Sequence, residues 1–285
     1  MNILYATDGR ESARDAGRLL ARLASPTRAD VTIFHVDEFN DRVIDDEMAE
    51  ATFAWALEHL EAASLPVQTK RVRSDVKSEI QREVDAGTYD LVVMGFGNSG
   101  WLGGPILGGV ANYVLHTSNI PTLVVRRPPT EGRDRIRVVV GADASEASDR
   151  AIEALILLTE PTQCVVLVRS VVERLPIETF GIPVAATIRP GELDRAMERL
   201  QDDAAAKVRR AIEYFERASL PCSGDVVMGG AAAELSDAVE RGGADLVVVG
   251  SRGLGPLVGA ALGSVSSHLL RTAPATLVAR DRAHQ

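Results

Sequence analysis

The chain is written twice, and that repeat limits its fold more than any other feature. ATDGRES at residues 6–12 returns as GADASEA at 141–147, 135 residues later. The same offset carries Pro26-Thr27 onto Pro161-Thr162 and Val36 onto Val171. Further on the offset grows to 155. LEHLEAASLP (57–66) falls on IEYFERASLP (212–221), and TYDLVVMG (88–95) on GADLVVVG (243–250). The second copy has therefore gained about 20 residues, within VVERLPIETFGIPVAATIRPGELDRAMER (171–199). A unit this long is a whole domain, not a turn of a solenoid. RRPPTEGRDR (126–135), rich in Pro and charge, reads as an exposed linker. The expected domains are 1–130 and 131–285.

Each copy alternates strands and helices. In the second, IRVVVGAD is a strand, and EASDRAIEALILLTE carries apolar residues at helical spacing. CVVLVRSV is the next strand, followed by the helix AAAKVRRAIEYFERASL and the short strand GDVVMG. AAELSDAVERGG is a helix that stops at glycine, ADLVVVG is a fourth strand, SVSSHLLRT a helix and TLVAR a fifth strand. The first, second and fourth strands are continuous Val/Leu/Ile runs, as required when helices cover both faces of a parallel sheet. The predicted class is α/β, with two tandem open parallel five-stranded sheets flanked by helices.

Composition narrows the functions. A net charge of −9 opposes nucleic acid, whose phosphates reward a basic face. Two cysteines cannot build a disulfide scaffold, and both Cys164 and Cys222 read as packing thiols. The five histidines are scattered, none paired at i, i+4, so no metal is assigned. Met1 leads straight into the strand-like NILYATD, without a signal-peptide pattern, and no apolar run reaches the ~20 residues of a bilayer span. The expectation is a cytoplasmic protein.

GFGNSG (95–100), directly after a strand, matches the dinucleotide pattern G-x-G-x-x-G. The repeat argues against that reading. GFGNSG aligns with GSRGLG (250–255), where Gly97 becomes Arg252. The motif also follows the fourth strand of its copy rather than the first.

The second copy's loop VVVGSRGLGPLVGAALGSVSSHLL is better suited to phosphate. Gly250 and Gly253 permit left-handed backbone and close main-chain approach. Gly263 removes a Cβ where the chain re-enters a helix. Ser264 and Val265 then lie at that helix N-terminus, where unsatisfied N–H groups attract anions, and Arg252 adds a guanidinium. The same glycines also fit tight turns and close helix–sheet packing, and Ser264 fits an N-cap. Asp143 is equally double. With Glu146 it fits a capping box, as Asp8 does with Glu11.

The string Gly250-x2-Gly253-x9-Gly263-Ser264, with an Asp after the first strand, resembles the ATP-binding branch of the universal stress protein family, and the resemblance spans both copies. It implies that Gly141, Asp143 and Val171 line the adenosine end of a nucleotide site, Val171 through its backbone. It implies that Gly250, Arg252, Gly253, Gly263, Ser264 and Val265 hold phosphates. The implied ligand is ATP or another adenine nucleotide, with Mg as counter-ion, in a regulatory module that is non-catalytic or hydrolyses very slowly. A slow ATP hydrolase and a ligand-free interaction protein remain alternatives. No Walker-type lysine loop and no Ser-Gly-Gly loop after the first strand is present.

The first copy departs from the pattern: Asn98 stands for the second glycine, Gly108-Gly109 for Gly-Ser, and Trp101 and Pro105 add bulk. It is expected to bind nucleotide weakly or not at all. Family members commonly pair through their last strands, here TLVVR (122–126) and TLVAR (276–280). The two copies would then form an intramolecular pseudo-dimer, and a homodimer of chains stays open. IETFGIPVAATI (177–188) in the insertion reads as a lid, a partner surface or a covering loop.

Overall fold

The computed structural model describes residues 1–38, 46–97, 107–173, 192–251 and 262–281. The first copy runs β1 (Asn2–Ala6), α1 (Glu11–Leu23), β2 (Asp30–Glu38), α2 (Asp46–Ala62), β3 (Val67–Ser74), α3 (Val76–Asp85), β4 (Leu91–Gly95), α4 (Gly109–Thr117) and β5 (Thr122–Val125). The second runs β6 (Ile136–Gly141), α5 (Glu146–Leu158), β7 (Cys164–Glu173), α6 (Glu192–Arg217), β8 (Cys222–Gly229), α7 (Ala231–Gly242), β9 (Leu246–Gly250), α8 (Ser264–Thr272) and β10 (Ala275–Ala279).

Each copy forms a parallel five-stranded sheet, and the two fuse into one. The strand order is β3-β2-β1-β4-β5-β10-β9-β6-β7-β8. Among the described strands only the central pair is antiparallel, with Ala275 opposite Val125 and Val278 opposite Thr122. The last strands of the copies thus cover each other, as the resemblance implied. An edge strand left open is a template for aggregation, and this junction closes two.

Continuous apolar strands feed two cores. Ile3, Tyr5, Leu123, Val125, Val138, Val140, Leu246 and Val248 meet α1, α2, α5 and α6 on one face. Leu4, Val92, Val124, Val139, Val247 and Val249 meet α3, α4, α7 and α8 on the other. Alternate side chains of each strand serve opposite faces, so the central strands β1, β4, β5, β6, β9 and β10 are apolar at most positions, whereas the outer strands β3 and β8 carry polar and charged residues.

The second copy's helices follow the sequence reading with one difference. α6 begins at Glu192, well before the expected Ala204. ELDRAMERLQDD is dense in strong helix formers, and Glu192 and Asp194 sit in the first turn, where the helix dipole favours acid. The C-terminal part of the insertion is therefore helix extension. IETFGIPVAATI lies outside the described residues. α7 ends as expected, with Gly243 left-handed at φ 58°. The linker is mostly exposed, yet pinned. Arg22 donates to the carbonyls of Thr130 and Arg133, and the Thr130 N–H donates to Asp245 at 2.8 Å. No described helix is long and apolar enough to cross a membrane.

Candidate nucleotide crevice

In the second copy β6 pairs with β7 on one side and β9 on the other, so the winding reverses at β6. Open α/β sheets bind ligands at the carboxyl ends of strands at this point. The fold brings Gly141, Asp143, Val171, Gly250, Gly263, Ser264 and Val265 to that end. Arg252 and Gly253 lie outside the described residues, as do Asn98, Trp101 and Pro105 of the first copy.

Gly141 ends β6. A Cβ there would lie 3.0 Å from side-chain atoms of Leu235 and Val249, so the position is already packed. Asp143 occupies the turn into α5. Its Oδ1 accepts from the Ser145 N–H at 2.9 Å and from the Ser145 hydroxyl at 2.7 Å. The capping-box expectation is corrected here. Ser145 is the N-cap, and its oxygen accepts from the Ser148 N–H at 3.1 Å. The reason is Ala144, held left-handed at φ 62°, which spends two residues turning the chain before the helix starts. Asp8 behaves likewise, accepting from the Arg10 N–H at 3.0 Å while Arg10 stands at the cap position.

Gly250 ends β9 against the first turn of α5. A Cβ there would stand 2.9 Å from the Ser148 nitrogen and 3.0 Å from the Ala147 Cβ. Its φ is not positive, so its conformational freedom is not what the site uses; close approach is. Gly95 plays the same part in the first copy, more tightly, with a Cβ only 2.5 Å from the Ser12 carbonyl carbon. That is one source of the apparent dinucleotide motif. The other is Gly97, left-handed at φ 97° and pressed against Gly108.

The N-termini of α5 and α8 flank the point where the winding reverses, while that of α7, with Gly230 as N-cap and no side-chain cap, stands farther out at the end of β8. That of α5 is closed: Ser145 caps it, and the Asp281 carboxylate accepts from the Ala147 N–H at 2.9 Å. That of α8 has Gly263 as N-cap (φ −66°) and no side-chain cap. The Gly263 N–H is used by the Ser251 carbonyl at 2.7 Å, which also accepts from the Ser266 hydroxyl at 2.9 Å. Ser264 is exposed and Val265 leans on the core. The Ser251 hydroxyl is buried and has no hydrogen-bond partner among the described residues. A buried unsatisfied hydroxyl costs about 1–3 kcal/mol. Sequence reasoning missed Ser251 and Asp281. The first had a signal, since Phe96 fills its place in the first copy. The second had none, being 134 positions from the helix it closes.

Beside the turn, burial raises the Asp149 carboxyl above its ordinary range against the pull of Arg210, and Asp143 adds to the rise. On the far side of β7, a pocket of about 560 Å³ is lined by Glu173, Met228, Gly229, Gly230 and Glu234. Behind it the Arg169 guanidinium grips Asp225 at 2.6 and 2.8 Å.

The first copy's turn is arranged differently. Thr52 of α2 presses on Gly9, where a Cβ would come within 2.2 Å of its oxygen. His35 hydrogen-bonds the Thr7 carbonyl through Nδ1 at 2.9 Å.

A family model described as "Universal stress protein family" matches residues 1–126 and again 135–279. The search of curated proteins found no match. Among solved structures, a universal stress protein from Archaeoglobus fulgidus DSM 4304 superposes with a TM-score of 0.65 at 19% identity, covering 98% of each chain. A functionally unknown protein from Pseudomonas aeruginosa PAO1 gives 0.61 at 17% identity, covering 99% of this chain and 92% of its own. These two likenesses speak to the fold. The two family matches, one to each copy, place this chain in the universal stress protein family.

Proposed function

We propose that the chain is a nucleotide-dependent regulatory protein that holds one adenine nucleotide, ATP foremost, in its second copy. The observation that carries this reading is the contrast between two helix ends. α5 is closed by Ser145 and Asp281, whereas α8 has no side-chain cap and stands beside the orphaned Ser251 hydroxyl. An anion at α8 would meet the N–H groups of the first turn, the positive end of the helix and the Ser264 hydroxyl. Gly263 keeps a side chain out of its way, and Gly250 lets α5 pack close beside the site. Arg252 and Gly253 complete the phosphate end in this reading.

The adenosine end is assigned to Gly141, Asp143 and the Val171 backbone. Glu173 and Glu234 line the pocket beyond β7, and their carboxylates disfavour phosphate there, which supports this orientation. Mg, where present, would ride on the phosphates as counter-ion. The ligand acts by changing conformation or partner binding. The domain boundary is assigned to the linker near residue 131, and the first copy serves as the permanent partner of the second.

The test is to denature the purified protein, identify any released small molecule by chromatography and mass, and titrate emptied protein with ATP and Mg. One adenine nucleotide per chain is expected. Two per chain would show that the first copy also binds. No released nucleotide and no binding of added ATP would overturn the reading in favour of a ligand-free interaction protein.

A further inference from the structure

The junction between the copies is held crosswise by two arginines. Arg126 directly follows β5. It donates through Nε to the Ala273 carbonyl at 3.0 Å and through Nη2 to the Thr272 carbonyl, at the base of α8. Arg280 directly follows β10. It donates to the His116 carbonyl at the base of α4, and its own carbonyl is held by Arg150, which also reaches Asn119 at 2.8 Å. The last carbonyls of a helix are unsatisfied and carry its negative end, so a guanidinium is well matched to them.

The antiparallel pairing of β5 with β10 sets the geometry. The carboxyl end of each half-sheet lies beside the start of the last strand of the other. Each arginine therefore stands at the crevice end of its own copy and grips the base of a helix whose tip faces the opposite crevice. Each helix is nine residues, about 13 Å at 1.5 Å per residue.

A backbone bond ties each crevice to its arginine. In the second copy the Ser251 N–H, at the head of the phosphate loop, donates to Ala279 at 2.6 Å, and Arg280 is the next residue. In the first copy the Phe96 N–H donates to Val125 at 2.7 Å, and Arg126 is the next residue. Both routes use short links in rigid strands and helices. Asp281 adds a branch, since it closes α5 beside Gly250.

We propose that Arg126 and Arg280 couple the two crevices, so that a ligand at the tip of α8 alters the base of α4 and, through that helix, the first copy. This rests on the nucleotide reading above. It gives the first copy a role as receiver of the signal. By linkage, whatever holds α4 also changes affinity at the second crevice.

The experiment is hydrogen exchange on the full chain, with and without ATP and Mg, for the wild type, Arg280→Gln and Arg280→Lys. ATP is expected to slow exchange severalfold in the first turn of α8 in all three proteins. In the wild type it should also change exchange at 115–120, and in Arg280→Gln that distant response should vanish. Lys keeps the charge but not the fork, and should retain part of the response. Protection at α8 with no change at 115–120 in the wild type would overturn the coupling. So would an undiminished distant response in Arg280→Gln. Absence of protection at α8 overturns the nucleotide reading instead. The clamp is then decided in ligand-free protein: Arg280→Gln must speed exchange at 115–120 and leave the first turn of α8 unchanged, and failure of that too removes it.

Discussion

Gly9 and Ala144 occupy equivalent turns and share one backbone conformation, left-handed at φ 73° and φ 62°. The turn after the first strand demands this twist in both copies, but only the first supplies glycine. An alanine in that region costs roughly 1 kcal/mol. Ala144→Gly should therefore raise the melting temperature, reflecting a gain of about 0.5–1 kcal/mol. Gly9→Ala should lower it by more, since the new Cβ meets Thr52 as well as the unfavourable φ. Equal effects of the two substitutions would show that Thr52 yields freely.

The glycines that end β4 and β9 are expected to rank by what their Cβ would strike. Gly95→Ala meets the backbone of Ser12 and Ala13 at 2.5–2.6 Å, and backbone cannot swing aside. Gly250→Ala meets its nearest atom at 2.9 Å. Overpacking costs about 1–3 kcal/mol. Gly95→Ala should fall at or beyond the upper end and Gly250→Ala near the lower, read from denaturant unfolding of each variant. The reverse ranking would mean that the first copy's helix is the looser of the two.

Acid should weaken the seam between the copies. Glu160 accepts from the hydroxyls of Ser25 and, less strongly, Thr27, and these bonds hold its carboxyl below the ordinary value of 4.5. Its pKa is lower folded than unfolded. Its contribution is thus present above 4.5 and lost as pH falls through the folded value. Melting followed from pH 7 to pH 3 should show a shallower loss for Glu160→Gln than for the wild type. Parallel curves would remove this carboxylate from the seam. Asp15, raised by burial, works in the opposite direction and is common to both proteins.

Ligand binding should discriminate between the loop residues. Ser264 is exposed, so Ser264→Ala should leave folding intact and weaken ATP binding by the worth of one hydrogen bond, about 1 kcal/mol or five- to tenfold. Gly263→Val should abolish binding in a protein that still folds. Titration calorimetry decides both, and unchanged affinity in a folded Gly263→Val protein would remove the phosphate assignment. In the first copy, Asn98→Gly with Gly109→Ser should improve binding. No gain there would point to Thr52 over Gly9 as the deeper obstacle.

Much of this was legible in the sequence because it is local or repeated. Val/Leu runs bounded by Gly and Asp determine strands with two buried faces, and the duplication determines that whatever one copy does, the other does with variations. The glycines after the fourth strand were legible as special, but not their reason. Only the packed structure decided that Gly250 serves the approach of α5 rather than a left-handed turn, because that depends on where Ala147 and Ser148 lie. The cap moved from Asp143 to Ser145 because Ala144 took a conformation its residue type disfavours, which local propensity argues against. Asp281 on α5 and the crossed grips of Arg126 and Arg280 join residues more than 130 positions apart. The Asp281 contact follows from the second sheet's own closure, which sets β10 beside β9. The crossed grips follow from the antiparallel meeting of β5 and β10, and no spacing in the chain encodes them, since they arise only when two finished sheets come together.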